Sequence, residues 1–399
     1  MTTYLNHCGI VCALGDTHAD IKRRLLQDFD SGVAATDTWS GARMLALGRV
    51  TAALPDGAHL PLTQRSRNNR MALAALGQIR EEVDAAIARH GADRIGIVVG
   101  TSTSGIASTE AALLAHAVDG VWPLDFHYAQ QEMGSPALML AQELGVSGPA
   151  YVHSSACASS AKAMASAARL INMGLCDAVL TGGVDTLCGF TVAGFAALES
   201  VSAERCNPFS AQRNGINIGE GAALFLMSRE PTSDPVPVAL CGWGESSDGH
   251  HMSAPDPAGS GARLAIAQAL ARAGIDAGQI DYINLHGTGT RQNDAMEASV
   301  IHDLFGPDAP ASSTKPFTGH ALGAAGAIEA ALCWLALQDD NLDGRLPPQL
   351  WDGDPDPALP ALNLVRPGAL LGRPLRWALS NSFAFGGSNA VLVLGRAEK

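Results

Sequence analysis

Short apolar segments alternate along the chain with longer segments whose apolar positions recur every three or four residues. The apolar segments predict strands at residues 4–15, 95–99, 150–152, 177–183, 222–227, 237–243 and 281–285, with a final pair around residues 379–381 and 390–394. The longer segments predict helices at residues 17–27, 65–89, 136–144, 157–173, 261–273, 294–305 and 320–337. Because strands that alternate with helices form βαβ units, the pattern predicts an α/β fold with mainly parallel sheets.

The proline-rich segment 231–237 is the predicted boundary between two halves, residues 1–235 and residues 236–399. The halves have a similar order of predicted elements but share no sequence repeat. Two stretches lack helical or strand periodicity. We expect loops between the first two predicted helices, and a surface loop in the acidic, proline-rich stretch 339–360.

Composition narrows the classes of protein to which the chain can belong. It has 399 residues, of which 47% are hydrophobic and 43 are glycine, enough for a large core and for tight turns. A formal net charge of −13 argues against nucleic acid or an anionic membrane as a partner. No apolar run is long enough to span a bilayer, and no signal peptide is apparent. The eight cysteines lack the spacing of a zinc site or a disulfide framework, so we expect a cytoplasmic protein with reduced thiols and no bound metal.

The candidate nucleophile is Cys157, which lies in the segment Ser-Ala-Cys157-Ala-Ser-Ser. It follows a predicted strand and begins a predicted helix of small residues that ends before Gly174. A thiol at the start of a helix lies near unpaired N–H groups and the positive end of the helix dipole. We therefore expect a pKa lowered from ~8.5 into the range of roughly 3.5–7.5. The alternative is an inert buried cysteine.

Two histidines lie where α/β proteins place catalytic groups. His286 begins the segment His286-Gly-Thr-Gly-Thr290, directly after a predicted strand. His320 opens the predicted helix 320–337, where the helix dipole favours an uncharged ring. Lys315 and Glu329 are opposite charges that we expect to pair near it. Each of these residues, taken alone, has an ordinary structural alternative.

A glycine-rich loop, Asn381-Ser-Phe-Ala-Phe385-Gly-Gly-Ser-Asn-Ala390, interrupts the last pair of predicted strands. Such a loop can turn backbone N–H groups inward, although an ordinary turn has a similar composition. One cysteine and two histidines in separate loops form a pattern that is typical of thiol catalysis.

In this order the motifs resemble those of the β-ketoacyl-[acyl carrier protein] synthases, the type I/II condensing enzymes of the thiolase superfamily. The resemblance covers essentially the whole chain and rests on the segments around Cys157, His286 and Phe385 and on Lys315 followed by Gly-His320-x-x-Gly-Ala-Ala-Gly. It implies a thiolase-like fold, with two βαβ-type halves in five α-β-α-β-α layers. It also implies that an acyl thioester acylates Cys157. His286 and His320 then promote decarboxylation of a malonyl carrier protein, and the enolate attacks the acyl group in a Claisen condensation.

The resemblance implies roles for further groups. The backbone N–H groups of Cys157 and Phe385 form the implied oxyanion hole, and Phe385 also gates the site. The supporting residues are Lys315 and Glu329, which organise the site, Thr288 and Thr290, which hold the phosphopantetheine arm of the carrier protein, and Phe195, which lines the acyl pocket. No other cofactor is implied. The implied partners are an acyl carrier protein and a second ketosynthase-like subunit, in a homodimer or a heterodimer.

Three positions depart from the family pattern. Ala384 stands beside the gating residue where glycine is usual, and we expect its side chain to restrict the gate. Pro316 follows Lys315 where a small flexible residue is usual and should stiffen that loop. Glu199 lies in a stretch that carries a basic docking residue in some relatives.

The best remaining basic patch consists of Arg65, Arg67 and Arg70. We expect an acidic carrier protein to dock there, with a solvated helix start as the alternative. The segment Ser66-Arg-Asn-Asn69, together with Ala384, resembles the ketosynthases of aryl-polyene pathways, which pair with a chain-length-factor-like subunit.

Two rival classes remain at the level of the sequence. A degradative thiolase uses a second cysteine as its base, where this chain has Phe385-Gly-Gly. A silent partner subunit usually lacks the nucleophile, which is present here as Cys157.

Overall fold

A computed structural model describes residues 2–41, 43–232 and 236–397 of the chain. Its strands are β1 (Thr3–Val11), β2 (Val33–Thr36), β3 (Leu45–Gly48), β4 (Ile95–Gly100), β5 (Ala150–His153), β6 (Ala178–Asp185), β7 (Gly221–Ser228), β8 (Val238–Ser247), β9 (Tyr282–Asn284), β10 (Pro310–Ser312), β11 (Asn363–Leu364), β12 (Trp377–Phe383) and β13 (Ser388–Arg396). Its α-helices are α1 (His18–Arg23), α2 (Arg67–Gly77), α3 (Arg80–His90), α4 (Ile106–Asp119), α5 (Ser135–Leu144), α6 (Ser159–Asn172), α7 (Gly189–Ala197), α8 (Ser260–Ala273), α9 (Arg291–Phe305), α10 (Lys315–Thr318) and α11 (Ala325–Ala336).

Eleven strands form one long sheet in the order β11-β10-β9-β12-β13-β8-β1-β7-β6-β4-β5. In the first half, β7 lies antiparallel between β1 and β6, and β4 lies parallel between β6 and β5. The second half repeats this arrangement, with β13 between β8 and β12, and β9 between β12 and β10. The halves meet where β1 pairs with β8. The fold is therefore duplicated although the sequence shows no repeat.

Each half of the sheet is covered on both faces. Along β4 the side chains alternate, so that Ile97 and Val99 pack with α2, α3 and α5 while Val98 packs with α6 and α11. In the second half, Leu379 of β12 packs with α8 and α9, whereas Ala378 faces the α6–α11 layer. The two central helices thus lie between the two halves of the sheet, which gives the five layers that the resemblance to condensing enzymes implies.

The central layer is built from small residues. Every residue of α11 is buried, as expected for a helix that is apolar on all sides. A side chain at Gly326 would lie 3.1 Å from the Cβ of Ala161, so glycine and alanine permit the close approach of α11 to α6. This close packing brings the segments that precede the two helices together, and those segments carry Cys157 and His320.

Several predicted boundaries were wrong. The helix predicted at 65–89 is two helices, α2 and α3, and the loops predicted before it contain the hairpin β2–β3. Helix α4 was not predicted. The stretch 339–360 is not simply a surface loop, because residues 346–350 are buried and Gln349 accepts a hydrogen bond from the N–H of Ser313 at 2.8 Å. The predicted division at residues 235 and 236 falls beside residues 233–235, which lie outside the described part of the chain.

Candidate active site

Cys157 lies in a sharp turn between β5 and α6. The turn requires a left-handed backbone conformation at Ala156, whose φ is 48°. Ser159 holds it closed, because its Oγ donates to the carbonyl of Ala156 at 2.6 Å and accepts the N–H of Ser155 at 2.9 Å. The helix itself begins at Ser159, so the cysteine precedes the first turn rather than forming part of it. Its side chain is only 4% exposed.

The structure brings both predicted histidines to this thiol. His286 follows β9, and His320 lies in the loop between α10 and α11. Nε2 of His320 is 2.9 Å from Sγ of Cys157, and the two imidazole rings lie edge to face with their centroids 5.3 Å apart. Donor atoms of all three side chains lie within 4.8 Å of one another. Residues from both halves of the chain therefore form one compact cluster.

The ionisation of the thiol differs from the sequence prediction. Burial raises the pKa of Cys157 to about 11, although the charge of Lys315 and the backbone N–H groups of Phe385 and of Cys157 itself act in the opposite direction. The predicted lowering by a helix dipole was wrong, because the sulfur lies outside the helix and loses its hydration. The resting nucleophile is therefore a neutral thiol.

Both histidines are also neutral. Burial, together with the positive charge of Lys315, holds the pKa values of His286 and His320 well below the usual value of 6.5. A neutral His320 was predicted, but the predicted cause was wrong, because α11 begins only at Ala325. The backbone of His320 instead pairs with Ile218, and its N–H donates to the carbonyl of Asn217 at 2.6 Å.

A buried ion pair supports the histidines. Nζ of Lys315 lies 2.5 Å from Oε1 of Glu329, and the two side chains are 1% and 2% exposed. The same Nζ lies 3.5 Å from Nδ1 of His286. When the ammonium donates to Nδ1, the proton of the neutral ring is on Nε2. Sulfur and imidazole nitrogens are also ligands that zinc prefers, whereas the ammonium of Lys315 would repel a cation nearby. The absence of a bound metal stays a prediction.

Glu297 of α9 holds the His286 loop and was not identified from the sequence. Its carboxylate accepts the N–H of His286 at 2.8 Å and the N–H of Gly287 at 2.7 Å. It also accepts a hydrogen bond from Nδ2 of Asn381 at 3.0 Å. Burial raises its pKa to about 7. The available signal was an acidic residue among the apolar positions Met296, Val300 and Ile301 of a predicted helix, shortly after the histidine motif.

The glycine-rich loop presents its backbone to the nucleophile. The N–H groups of Phe385 and of Cys157 itself are directed at Sγ. The ring of Phe385 packs on that of Phe195, with centroids 5.3 Å apart. Positive φ values occur at Gly386 and Gly387, whereas Ala384 has a φ of −95°. The alanine therefore strains nothing in this conformation of the loop.

Sequence profiles of two known domains match most of the chain. Residues 35–232 match the N-terminal domain of beta-ketoacyl synthases, and residues 238–350 match the C-terminal domain. The chain belongs to the β-ketoacyl synthase family. Members of this family are acyltransferases that act as condensing enzymes, and this chain has the same fold as solved ketosynthases.

Individual relatives support the same assignment. The chain is 34% identical to nodulation protein E of Rhizobium meliloti over 87% of each chain. It is 32% identical to 3-oxoacyl-[acyl-carrier-protein] synthase 2 of Staphylococcus aureus over 85% of each chain. Among solved structures, it resembles a ketosynthase (ApeO) in complex with its chain length factor (ApeC) from Xenorhabdus doucetiae, with 46% identity, a TM-score of 0.92 and coverage of 99% and 98% of the two chains.

The predicted pantetheine-binding threonines of this β-ketoacyl synthase lie beside the catalytic cluster. Thr288 and Thr290 belong to the loop that begins at His286, and their hydroxyl oxygens are 2.9 Å apart. The loop turns sharply because Gly287 and Gly289 have φ values of 33° and 79°. Their predicted role in holding the phosphopantetheine arm stays a prediction.

The three arginines of the predicted docking patch have partners within the chain. Arg65 donates to the carbonyls of Leu60 and Ala58 at 2.7 and 2.8 Å, and Arg70 donates to the carbonyl of Pro55 at 2.5 Å. Arg67 forms an ion pair with the buried Glu220 at 2.6 Å. Arg65 is nevertheless exposed and the other two are half-buried. These side chains brace the loop before α2, and carrier-protein docking on them stays a prediction.

The described residues include no helix that has both the length and the apolar character needed to cross a bilayer.

Proposed function

We propose that this β-ketoacyl synthase loads an acyl chain onto Cys157 and condenses it with a malonyl group delivered by an acyl carrier protein. The observation that carries the proposal is the 2.9 Å distance between Sγ of Cys157 and Nε2 of His320, both in neutral form. As the sulfur attacks the thioester carbonyl, Nε2 accepts the thiol proton. The N–H groups of Cys157 and Phe385 hold the oxyanion. When the tetrahedral intermediate collapses, the imidazolium returns the proton to the departing carrier thiolate.

The second half-reaction uses both histidines. The thioester oxygen of the malonyl group accepts a hydrogen bond from Nε2–H of His286 and a second one from His320, whose neutral ring carries its proton on Nε2 in this step and on Nδ1 in the first. Loss of carbon dioxide leaves an enolate that these donors stabilise, and its carbon attacks the carbonyl of the acyl-cysteine. A carbon–carbon bond forms and the carbon–sulfur bond breaks. The thiolate of Cys157 then takes up one proton from solvent, because decarboxylation of the malonyl carboxylate consumes one proton overall. Lys315 supports this step because its charge keeps the rings neutral.

The proposal also includes a partner of this chain, a second ketosynthase-like subunit. Strand β5 lies at the end of the long sheet, and in the described structure it pairs with β4 alone. Ala150 of this strand is exposed, as are Met133 and Leu138 nearby. An open strand edge with apolar neighbours is a template for pairing with another chain. We propose that a chain-length-factor-like subunit binds at this edge, close to Cys157.

The pathway is proposed from sequence similarity. The segment Ser66-Arg-Asn-Asn69 and Ala384 resemble the ketosynthases of aryl-polyene pathways. The 46% identity to a chain of a ketosynthase–chain length factor complex supports a heterodimer of this type. A silent-subunit role is disfavoured because Cys157, His286 and His320 converge. The substrates are proposed to arrive on phosphopantetheine without another cofactor. The eight unpaired cysteines support a reducing, cytoplasmic location.

Two measurements test the proposal. The purified chain should decarboxylate a malonyl carrier protein, and His286→Ala should slow this by at least a hundredfold (about 2.7 kcal/mol) because one enolate donor is lost. Native mass spectrometry after co-expression with a chain-length-factor-like chain should give a one-to-one complex. A homodimer that performs full condensation without the second chain would contradict the partner proposal, while unchanged decarboxylation by His286→Ala would contradict the mechanism.

A further inference from the structure

The gate loop, defined here as residues 384–388, is attached to two separate parts of the fold. On one side, Gly386 donates its N–H to the carbonyl of Met252 at 2.8 Å, and the carbonyl of Gly387 accepts the N–H of Asp248 at 2.8 Å. On the other side, Nζ of Lys162 donates to Oγ of Ser388 at 2.5 Å. Lys162 belongs to α6, the helix that follows the nucleophile.

The gate loop therefore contacts the segment from Cys157 to Lys162 at two points. At one end, the N–H of Phe385 is directed at Sγ of Cys157. At the other end, Ser388 contacts Lys162 on the same short stretch of chain. Between these points Gly386 and Gly387 have positive φ, and a side chain at Gly386 would meet no atom within 4 Å. Gly386 is thus free of packing, whereas an added Cβ at Gly387 would lie 2.9 Å from Cβ of Asp248. The loop is therefore held by Asp248 and Met252 on one side and by Lys162 on the other.

The surroundings of Lys162 do not favour an ammonium group. The side chain is half-buried, and its neighbours on α6 and β5 include the cation Arg169 and the imidazole of His153, whose pKa is lowered by burial. Arg169 is itself paired with an acid, Glu245 of β8. Among the hydrogen bonds and ion pairs of the described residues, the contact made by the Lys162 ammonium is to the hydroxyl of Ser388. A lysine in this place costs stability, which favours a role in positioning over a role in packing.

We propose that Lys162 is a positioning residue that holds the gate loop against the nucleophile helix, so that the N–H of Phe385 stays aimed at the oxyanion of acyl transfer. The inference rests on the oxyanion-hole role proposed above. It predicts different effects on the two half-reactions. Acyl transfer to Cys157 needs the N–H of Phe385, whereas malonyl decarboxylation uses the two histidines. Loss of the Lys162–Ser388 contact should therefore slow the first half-reaction and spare the second.

The test measures the two half-reactions separately in the full chain. Acylation of Cys157 by hexanoyl N-acetylcysteamine thioester is followed by intact mass, and decarboxylation is followed with malonyl carrier protein. Lys162→Met removes the donor at similar length, and Ser388→Ala removes the acceptor. Each should slow acylation by about ten- to a hundredfold and leave decarboxylation within twofold of wild type. Lys162→Arg should restore much of the acylation rate, because it keeps a charged donor.

A double variant and a control make the result decisive. Lys162→Met combined with Ser388→Ala should be no slower than either single variant, because both remove the same contact. Lys22→Met, which removes a surface lysine paired with Asp340, should leave both rates unchanged. Additive losses in the double variant, or equal losses in both half-reactions, would overturn the inference. If Lys162→Met fails to fold, Ser388→Ala alone decides the matter. Failure of the wild type to become acylated would instead refute the proposed function.

Discussion

Nε2 of His320 lies 2.9 Å from Sγ of Cys157, in a buried site where both groups are uncharged. A preformed thiolate–imidazolium pair would place two ions in this site without water. The neutral pair avoids that cost, and the proton moves only when an acyl thioester is present to accept the developing charge. The site is thus a thiol with an adjacent base rather than a permanently charged nucleophile.

The ionisation of Cys157 can be measured directly. Because burial raises its pKa to about 11, the thiolate should appear only in alkaline solution. We expect the difference in ultraviolet thiolate absorbance between wild type and Cys157→Ser to rise with a midpoint near pH 11. A midpoint near neutral pH would contradict the neutral resting state.

Glu297 should make stability depend on pH in the acidic range. Its pKa is raised by burial from 4.5 to about 7, so the folded state retains a proton that the unfolded chain has already released. Its contribution to the free energy of unfolding is therefore complete below pH 4.5 and is lost as pH rises through 7. Urea titrations at several pH values should show this decline in wild type, and Glu297→Gln should flatten it. An unchanged pH profile in the variant would assign the decline to other groups.

Glu297 should also affect chemistry through the His286 loop. The two oxygens of the carboxylate accept one hydrogen bond each, from the N–H groups of His286 and Gly287. Glutamine offers a single acceptor oxygen, so one of these hydrogen bonds would be lost. We expect Glu297→Gln to slow malonyl decarboxylation by about tenfold, which corresponds to about 1.4 kcal/mol. Glu81→Gln, at an exposed position of α3, is a suitable control for the same change of side chain. A decarboxylation rate equal to wild type would show that the loop does not need the carboxylate.

The Lys315–Glu329 pair should be costly to break from one side. Glu329→Gln leaves a buried ammonium without its carboxylate, and we expect a loss of about 3–5 kcal/mol in the free energy of unfolding. The double variant Lys315→Met with Glu329→Leu should regain much of that stability, because both charges are removed. Its rate of malonyl decarboxylation should remain below that of wild type, because His286 loses the neighbouring charge of Lys315. A double variant less stable than Glu329→Gln would contradict this account.

Ala384 should behave as an ordinary residue of the gate loop. Its φ of −95° is accessible to any amino acid, so the family's usual glycine is not required here. We expect Ala384→Gly to lower the free energy of unfolding by about 0.4–1 kcal/mol through chain entropy, with condensation rates within twofold of wild type. A large gain in rate would show that the side chain restricts the gate.

The sequence predicted the catalytic cluster because its members follow strands or precede helices in a fold whose order of elements was apparent. Cys157, His286 and His320 each lie beside a predicted boundary, which is where α/β folds place catalytic groups. The alternation predicted the α/β class, and the five layers were implied by the resemblance to condensing enzymes.

The remaining features depend on tertiary contacts that local pattern does not contain. The pKa of Cys157 is set by its burial, and that burial arises because α11 packs closely on α6. Glu297 was missed because an acidic residue on a helix usually faces solvent, whereas here the His286 loop folds over it. Helix α4 was missed because Ala112 is its one buried residue and its leucines Leu113 and Leu114 are exposed, so it lacks the apolar stripe of a packed helix.

The most direct test of the account is the intact mass of the protein after incubation with an acyl carrier protein that bears a short acyl chain. We predict that wild type gains the mass of one acyl group, that peptide mapping places it on Cys157, and that Cys157→Ala gains none. An acyl group on another residue, or condensation by Cys157→Ala at the wild-type rate, would contradict the account.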